Sequence, residues 1–274
     1  MSDHKPPNPW RYIDSGVASG AVNMAIDEAL LCMFAPEASQ PILRTYGWDP
    51  PALSLGRFQK TEEVLDLDRC CCGADVSVVR RVSGGGTIFH ADELTYSIVC
   101  SPGQIPSAAS VKDSFRVLTG FLIDFYRMLG LNACYAIDTV SDTERLGVRT
   151  AFCFAGKETF DILIGGKKIG GNAQRRYKNV IFQHGSIPII NRAQYGLQQM
   201  KDRSPEYAQH TVSLSDCGIS ADIPTLKRMF VEAFRHHMGV ITHISCLSSD
   251  EQLMSQELLL KKYALDRWNL QGDT

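Results

Sequence analysis

The sequence predicts a single α+β domain, and three observations lead there. Segments with helical and strand periodicity follow one another in mixed order, without the regular strand–helix alternation of a doubly wound parallel sheet. A chain of 274 residues with 44% hydrophobic and 21% charged residues has an ordinary globular balance, enough to bury one sizeable core. No repeat, low-complexity tract or shift in composition marks a boundary along residues 1–274.

The elements are expected in this order. Residues 16–33 read as a helix after a turn, with Ser19 as N-cap and with Val22, Ile26, Ala29, Leu30 and Met33 three or four apart. Residues 42–48 and 52–55 read as strands on either side of the turn residues Asp49, Pro50 and Pro51. Residues 76–82 are β-branched and apolar, a buried strand that runs into Ser83, Gly84, Gly85 and Gly86. Residues 94–100 form a further strand. Residues 110–129 carry the clearest helical stripe, Val111, Phe115, Leu118, Leu122, Phe125 and Leu129, with Gly130 where a left-handed C-terminal residue belongs. Residues 160–164 and 180–184 read as strands around a second glycine-rich segment, 165–171. Asp222 caps a helix over 224–238 that Gly239 stops. Ser249 with Gln252 forms a capping box for a last helix carrying Leu253, Leu258 and Leu260, with Lys261 and Lys262 near its end.

Composition narrows the function. A formal net charge of −2 leaves no basic footprint for nucleic acid, so a neutral or protein-borne partner fits better. Residues 1–9 are polar and proline-bearing, without the apolar core of a signal peptide, and no run approaches the roughly 20 apolar residues of a membrane helix. Nine cysteines, an odd count without a C-x-x-C pair, suit a reducing, cytoplasmic setting with free thiols. Cys70, Cys71 and Cys72 are consecutive, which is poor spacing for tetrahedral zinc, and no metal site is expected.

Two segments carry unusual chemistry. Three glycines after a strand let backbone approach a ligand, and successive N–H groups can form a nest for an oxyanion or phosphate. Arg80 and Arg81 enter this loop and His90 leaves its far end. The same residues are also compatible with a tight turn and two solvated arginines. The loop is neither a Walker A loop nor a G-x-G-x-x-G fingerprint. In the second segment, Gly165, Gly166, Gly170 and Gly171 flank Lys167 and Lys168, so a lysine can reach a ligand held against bare backbone; a β-turn with exposed lysines is the plainer alternative. Beyond it, His184, Gly185 and Ser186 end a strand.

The stretches Arg80-Arg81-Val82-Ser83-Gly84-Gly85-Gly86-Thr87-Ile88-Phe89-His90, Gly166-Lys167-Lys168-Ile169-Gly170-Gly171-Asn172-Ala173-Gln174 and Gln183-His184-Gly185-Ser186-Ile187 follow one another along the chain. Asn23-Met24-Ala25-Ile26-Asp27-Glu28 and Pro51-Ala52-Leu53-Ser54-Leu55-Gly56-Arg57 precede them. Together they resemble the family of lipoate–protein ligases, biotin ligases and octanoyltransferases, and the tail, with Lys262-Tyr263 and Trp268, resembles octanoyltransferases of the LipM type. The resemblance implies a biotin/lipoate protein ligase-like catalytic domain, with a central mixed β-sheet flanked by helices and an acyl tunnel beside the glycine loop. By motif position it implies that Arg81, Ser83, Gly84, Gly85, Gly86, His90, Gly170, Gly171 and His184 line the acyl site, and that Lys168 is the essential lysine near the reacting carbonyl.

The family contains two chemistries. Ligases activate a free acid with ATP and Mg²⁺; transferases start from a thioester, need no cofactor, and gain from a nucleophile that divides the step in two. Cys153, fifteen residues before Lys168, stands where LipM-type transferases carry their nucleophile. Asp92-Glu93-Leu94-Thr95-Tyr96-Ser97 resembles the transferase version of that strand, as do Gln174 and the Gln183–Ile187 run, and no accessory C-terminal domain is expected in 1–274. The intact triple glycine with Phe89-His90 points the other way, toward the ligase loop. The expectation is an octanoyltransferase, with an ATP-dependent lipoate–protein ligase or a lipoyl-domain amidotransferase as alternatives. The resemblance implies octanoyl-acyl carrier protein as donor and a lipoyl-domain protein, either glycine cleavage H protein or a 2-oxoacid dehydrogenase E2, as acceptor, with the enzyme a monomer. A biotin ligase would carry a Gly-Arg-Gly-Arg core, which this chain lacks.

Overall fold

The computed structural model describes residues 9–71, 76–106, 110–139 and 158–273. Its strands are β1 (Trp10–Ala18), β2 (Ile42–Trp48), β3 (Ala52–Leu55), β4 (Ser77–Arg80), β5 (Ile88–His90), β6 (Glu93–Cys100), β7 (Ala133–Tyr135), β8 (Ile162–Ile164), β9 (Lys167–Lys168), β10 (Gly171–Tyr177), β11 (Val180–Pro188) and β12 (Thr242–Ile244). The main helices are α1 (Gly20–Met33), α2 (Val111–Met128), α3 (Ile223–Met238) and α4 (Ser249–Leu258).

The central sheet has six strands in the order β10-β11-β6-β2-β1-β12. It is mixed, as the α+β expectation requires: β1 runs parallel to β2 and β12, while β2–β6, β6–β11 and β10–β11 are antiparallel. One face packs on α2 and α3, where Phe121 meets Phe230 edge-on with centroids 5.0 Å apart. The other face packs on α1 and the C-terminal segment through Met24, Leu30, Tyr263 and Trp268. Two three-stranded sheets, β4-β3-β5 and β7-β8-β9, complete the frame and carry the two glycine-rich segments.

Several local expectations hold. Ser19 caps α1, Asp222 caps α3 through the Thr225 amide, and Gly130 (φ +79°) and Gly239 (φ +62°) take left-handed backbone at helix ends. Others need correction. Residues 16–18 finish strand β1, and the helix begins only at Gly20. The buried side of α1 includes Asn23, Ala25 and Asp27, whereas Val22 and Ile26 are only half-buried and Met33 is exposed. The cause is a buried polar cluster. The Arg44 guanidinium donates to Asp27 Oδ1 (2.6 Å), Asn23 Oδ1 (2.9 Å) and Ser15 Oγ (2.8 Å). Tyr46 and Ser97 also donate to Asp27, at 2.8 and 2.7 Å. The capping box of α4 is Ser248 with Glu251, not Ser249 with Gln252, and Leu253 and Leu260 of the last helical segment are exposed. Among the described residues no helix is long and apolar enough to cross a membrane.

Candidate active site

The first glycine loop joins β4 to β5, and both strands pair with β3. Its shape follows from two constraints. Gly85 has φ +94°, and a Cβ on Gly56 would lie 2.0 Å from the Gly85 carbonyl oxygen, so the β3 end and the loop meet only because both are glycine. Arg81 is buried behind the loop. It donates to the Ser54 carbonyl (2.6 Å), Ser54 Oγ (2.7 Å) and the carbonyls of Gly84 (3.0 Å) and Gly86 (2.9 Å). Arg80 turns the other way, to the carbonyls of Gln59 (2.6 Å), Gly56 (3.1 Å) and Trp268 (3.0 Å). Neither arginine is a solvated turn residue; each holds backbone.

Both histidines are buried beside this loop. Ser83 Oγ lies 2.6 Å from His184 Nε2. Burial, then the nearby Arg81 charge and His90, pushes the His184 imidazole well below its ordinary value, so it is neutral at physiological pH. His90 stacks on Trp48 with centroids 3.9 Å apart and an interplanar angle of 9°. Its Nε2 lies 2.6 Å from Ser54 Oγ and its Nδ1 2.8 Å from Glu93 Oε1.

The second glycine segment is a hairpin. β8 and β9 pair through Leu163 and Lys168, and the intervening Gly165 (φ +56°) and Gly166 (φ +77°) both have the positive φ of a two-residue type I′ turn. This turn leaves Lys167 exposed and folds Lys168 inward, where its Nζ forms a buried ion pair with Asp161 Oδ2 at 2.7 Å. Gly170 (φ +74°) then passes so close to β11 that a Cβ would lie 1.9 Å from the Ser186 carbonyl oxygen. Gly171 starts β10 opposite Ser186. On the same ladder Asn172 faces Gly185, and Asn172 Oδ1 accepts a 2.7 Å hydrogen bond from Tyr96. A Cβ at Gly185 would lie 2.0 Å from that amide oxygen.

The two segments converge on a cleft of about 640 Å³, a size typical of small-molecule sites. Gly84, Gly85 and Gly86 line it from one side and Lys168 with Asp161 from the other. Asn172 and Gln174 of β10 form one wall, and Phe58, Val111, Phe115 and Phe160 give it an apolar side. Of the residues expected at an acyl site, Arg81, Ser83, His90, Gly170, Gly171 and His184 stand behind this lining, as supports of the two glycine segments. Cys153 lies outside the described residues.

Asp161 and Phe58 stand outside the motifs that the sequence marks, whereas Asn172 lies within one. Asp161 gives no local signal, because its partner is seven residues on and is brought back only by the hairpin. Gln174, by contrast, was visible in its motif. Its amide donates to Gln183 Oε1 at 2.9 Å, and its Oε1 accepts from Ser114 Oγ at 3.0 Å, which ties β10 to α2 along the cleft. Among the described residues, no group of three or more His, Cys, Asp or Glu side chains is placed to hold a metal ion.

Comparison with known proteins agrees with this frame. The family model for the lipoyl protein ligase A/B catalytic domain matches residues 19–235. Octanoyltransferase LipM of Geobacillus kaustophilus is 32% identical over 271 residues, covering 95% of this chain and 97% of its own length. LipM of Anoxybacillus flavithermus is 33% identical over 273 residues, and LipM of Bacillus subtilis 32% over 271, each covering 95% of this chain and 97% of its own length. Among solved structures, lipoate-protein ligase A bound with ATP superposes with a TM-score of 0.80 at 23% identity, covering 96% of this chain and 98% of the other. A bi-partite lipoate protein ligase of Thermoplasma acidophilum gives 0.77 at 22% identity, with 96% of each chain covered. At these identities the structural likeness speaks to fold alone.

Proposed function

Because the chain belongs to the lipoyl protein ligase A/B catalytic-domain family, we propose that it is an octanoyltransferase of lipoate biosynthesis, moving octanoyl from a carrier-protein thioester to the ε-amine of a lysine on a lipoyl domain. The observation that carries this reading is the full-length similarity, at 32–33% identity, to proteins named octanoyltransferase LipM. The lipoyl-domain acceptor is supported by the archaeal ligase described together with its E2 lipoyl domain. Acyl carrier protein is proposed as the donor and the monomer as the working form.

The chemistry divides into two exchanges. The Cys153 thiolate attacks the octanoyl carbonyl; the carrier thiolate leaves and takes a proton, and an octanoyl-Cys153 thioester remains. The acceptor amine then attacks that carbonyl, loses its proton, and expels the Cys153 thiolate. The Lys168 ammonium, anchored by Asp161 at 2.7 Å, supplies the cation that favours a thiolate and a developing oxyanion. Backbone N–H groups of the glycine loop and at Gly170–Gly171 supply further oxyanion donors. A thioester already carries the free energy needed to form an amide, so this route needs neither ATP nor a metal.

The test is intact-protein mass after incubation with octanoyl-acyl carrier protein and chelator, without ATP. A hydroxylamine-labile octanoyl adduct is expected on the wild type and absent from Cys153→Ser. An adduct that persists in Cys153→Ser as a hydroxylamine-labile thioester would remove the nucleophile assignment. Acylation of a lipoyl domain only from free octanoate with ATP and Mg²⁺ would replace the transferase by a ligase.

A further inference from the structure

Behind the glycine loop, buried side chains form a line of hydrogen bonds whose direction is fixed by chemistry. Arg81 can only donate, so Ser54 Oγ accepts from it at 2.7 Å. At the far end, Trp48 Nε1 can only donate, so Thr95 Oγ1 accepts from it at 2.7 Å and its own hydroxyl donates to Glu93 Oε1. The Ser54 hydroxyl keeps its own proton to donate, and His90 Nε2, 2.6 Å away, is the acceptor it faces. With Nε2 accepting, the N–H of the His90 ring stands on Nδ1, 2.8 Å from Glu93 Oε1. The donors of Ser54, His90, Trp48 and Thr95 along the line thus each have an acceptor. The line runs from the Arg81 cation through Ser54 and His90 to the Glu93 anion, and the side chains of Arg81, His90 and Glu93 are all buried.

At the cation end, the other nitrogen of Arg81 holds the carbonyls of Gly84 and Gly86. A trans peptide carries its C=O and N–H on opposite sides, so drawing these carbonyls to Arg81 turns the next N–H groups, of Gly85 and Thr87, away from the guanidinium. We propose that Glu93 is a positioning residue for acyl transfer. Through His90 and Ser54 it sets the rotation of Arg81, and Arg81 sets the peptide planes of the glycine loop that lines the cleft. Glu93 thereby acts on the barrier of the acyl step from behind the loop. The proposal rests on the acyl-transfer reading for its rate effect, but its hydrogen-bond geometry stands independently.

Two measurements test it. In ¹⁵N NMR of the wild type, with the His90 ring assigned by its loss in His90→Gln, Nδ1 is expected to be the protonated nitrogen, and Glu93→Leu to abolish that preference. In steady-state octanoyl transfer, Glu93→Leu is expected to lower kcat by up to about 100-fold, the scale of a misplaced reacting geometry, with donor KM within about twofold. Glu93→Gln keeps an acceptor oxygen for His90 Nδ1–H and is expected to recover most of the loss. An Nε2–H tautomer in the wild type would overturn the proposal, as would a Glu93→Leu enzyme that changes only KM or keeps its kcat. If Glu93→Leu does not fold, the wild-type tautomer and the kcat of Glu93→Gln decide. If the wild type transfers no octanoyl at all, the functional reading fails, and the tautomer measurement still decides the geometry.

Discussion

Single residues in this site are constrained by space and by charge in separable ways. Gly166 and Gly170 show the first. Both have positive φ, but a Cβ at Gly166 meets nothing within 4 Å whereas one at Gly170 lies 1.9 Å from the Ser186 carbonyl oxygen. Gly166→Ala should cost only the left-handed strain, about 1–2 kcal/mol. Gly170→Ala adds a collision between backbones that no rotamer relieves, and should cost roughly 3 kcal/mol or more. Thermal midpoints of the two variants compare them directly; equal losses would show that β10 and β11 yield at this contact. His184 shows the second constraint. Its folded proton affinity is pushed below the ordinary value of 6.5 by burial and by Arg81 and His90. The unfolded chain therefore binds a proton more readily below that pH. The stability due to neutral burial is present above 6.5 and is lost as pH falls toward the lowered folded value, with a slope approaching about 1.4 kcal/mol per pH unit. Urea midpoints between neutrality and mild acid should fall more steeply in the wild type than in His184→Gln. Parallel profiles would mean that His184 is not buried neutral.

At the scale of elements, the polar cluster under α1 joins three pieces of the fold that sequence periodicity treats separately. Asp27 on α1 receives Arg44 and Tyr46 from β2 and Ser97 from β6, all in the interior. Asp27→Ala strands the Arg44 guanidinium without its counter-charge and should cost about 3–5 kcal/mol. The paired replacement Asp27→Leu with Arg44→Met should cost less than the sum of its parts, because the desolvation of both charges disappears together. Denaturant midpoints for the three variants close this cycle, and additive losses would show that the pair is not coupled. The cluster also explains what was legible in the sequence. Helix ends with a single strong signal, Asp222 and Gly239, could be read directly, and so could the stripe around Leu118, Leu122 and Phe125. The buried side of α1 could not, because Asn23 and Asp27 are polar and no local pattern shows that Arg44 will meet them. Ser248 and Ser249 each have a carboxylate or amide three residues on, so only the extended backbone at Ser248 decides the cap. β10 escaped notice because its glycine start and its row of polar residues carry no alternation, and its pairing with β11 is settled by the close approach at Gly170 and Gly185. The glycine segments and Lys168 announced themselves by composition. Asp161 and Glu93 did not, since their roles arise from partners that only the folded chain supplies.

At the scale of the whole molecule, distant parts of the chain meet around the glycine loop. The opening helix α1 receives the C-terminal segment through Glu28, which accepts from Lys262 Nζ at 2.8 Å and from the Tyr263 hydroxyl at 2.7 Å. Lys262 lies over the Trp268 ring, 3.8 Å from its centroid. Trp268, in turn, is buried against β4: its Nε1 donates to the Arg80 carbonyl at 3.0 Å, and the Arg80 guanidinium donates back to the Trp268 carbonyl at 3.0 Å. The next residue is Arg81, whose side chain holds the loop carbonyls. The tail therefore braces the end of β4 from which the loop departs, although none of its residues lines the cleft. Trp268→Ala removes a large buried ring and a hydrogen bond to this strand, and should cost about 3–5 kcal/mol of stability. If the brace is also functional, the surviving folded enzyme should transfer octanoyl more slowly at temperatures well below its midpoint, where nearly all molecules are native. Leu253→Ala, at an exposed position of the same C-terminal region, should change neither quantity measurably. Rates normalised to the folded fraction decide between the outcomes. A Trp268→Ala enzyme with a lowered midpoint and an unaltered rate would make the tail a stabilising strap alone, and the shape of the glycine loop would then rest on Gly56, Gly85, Arg81 and the side chains behind them.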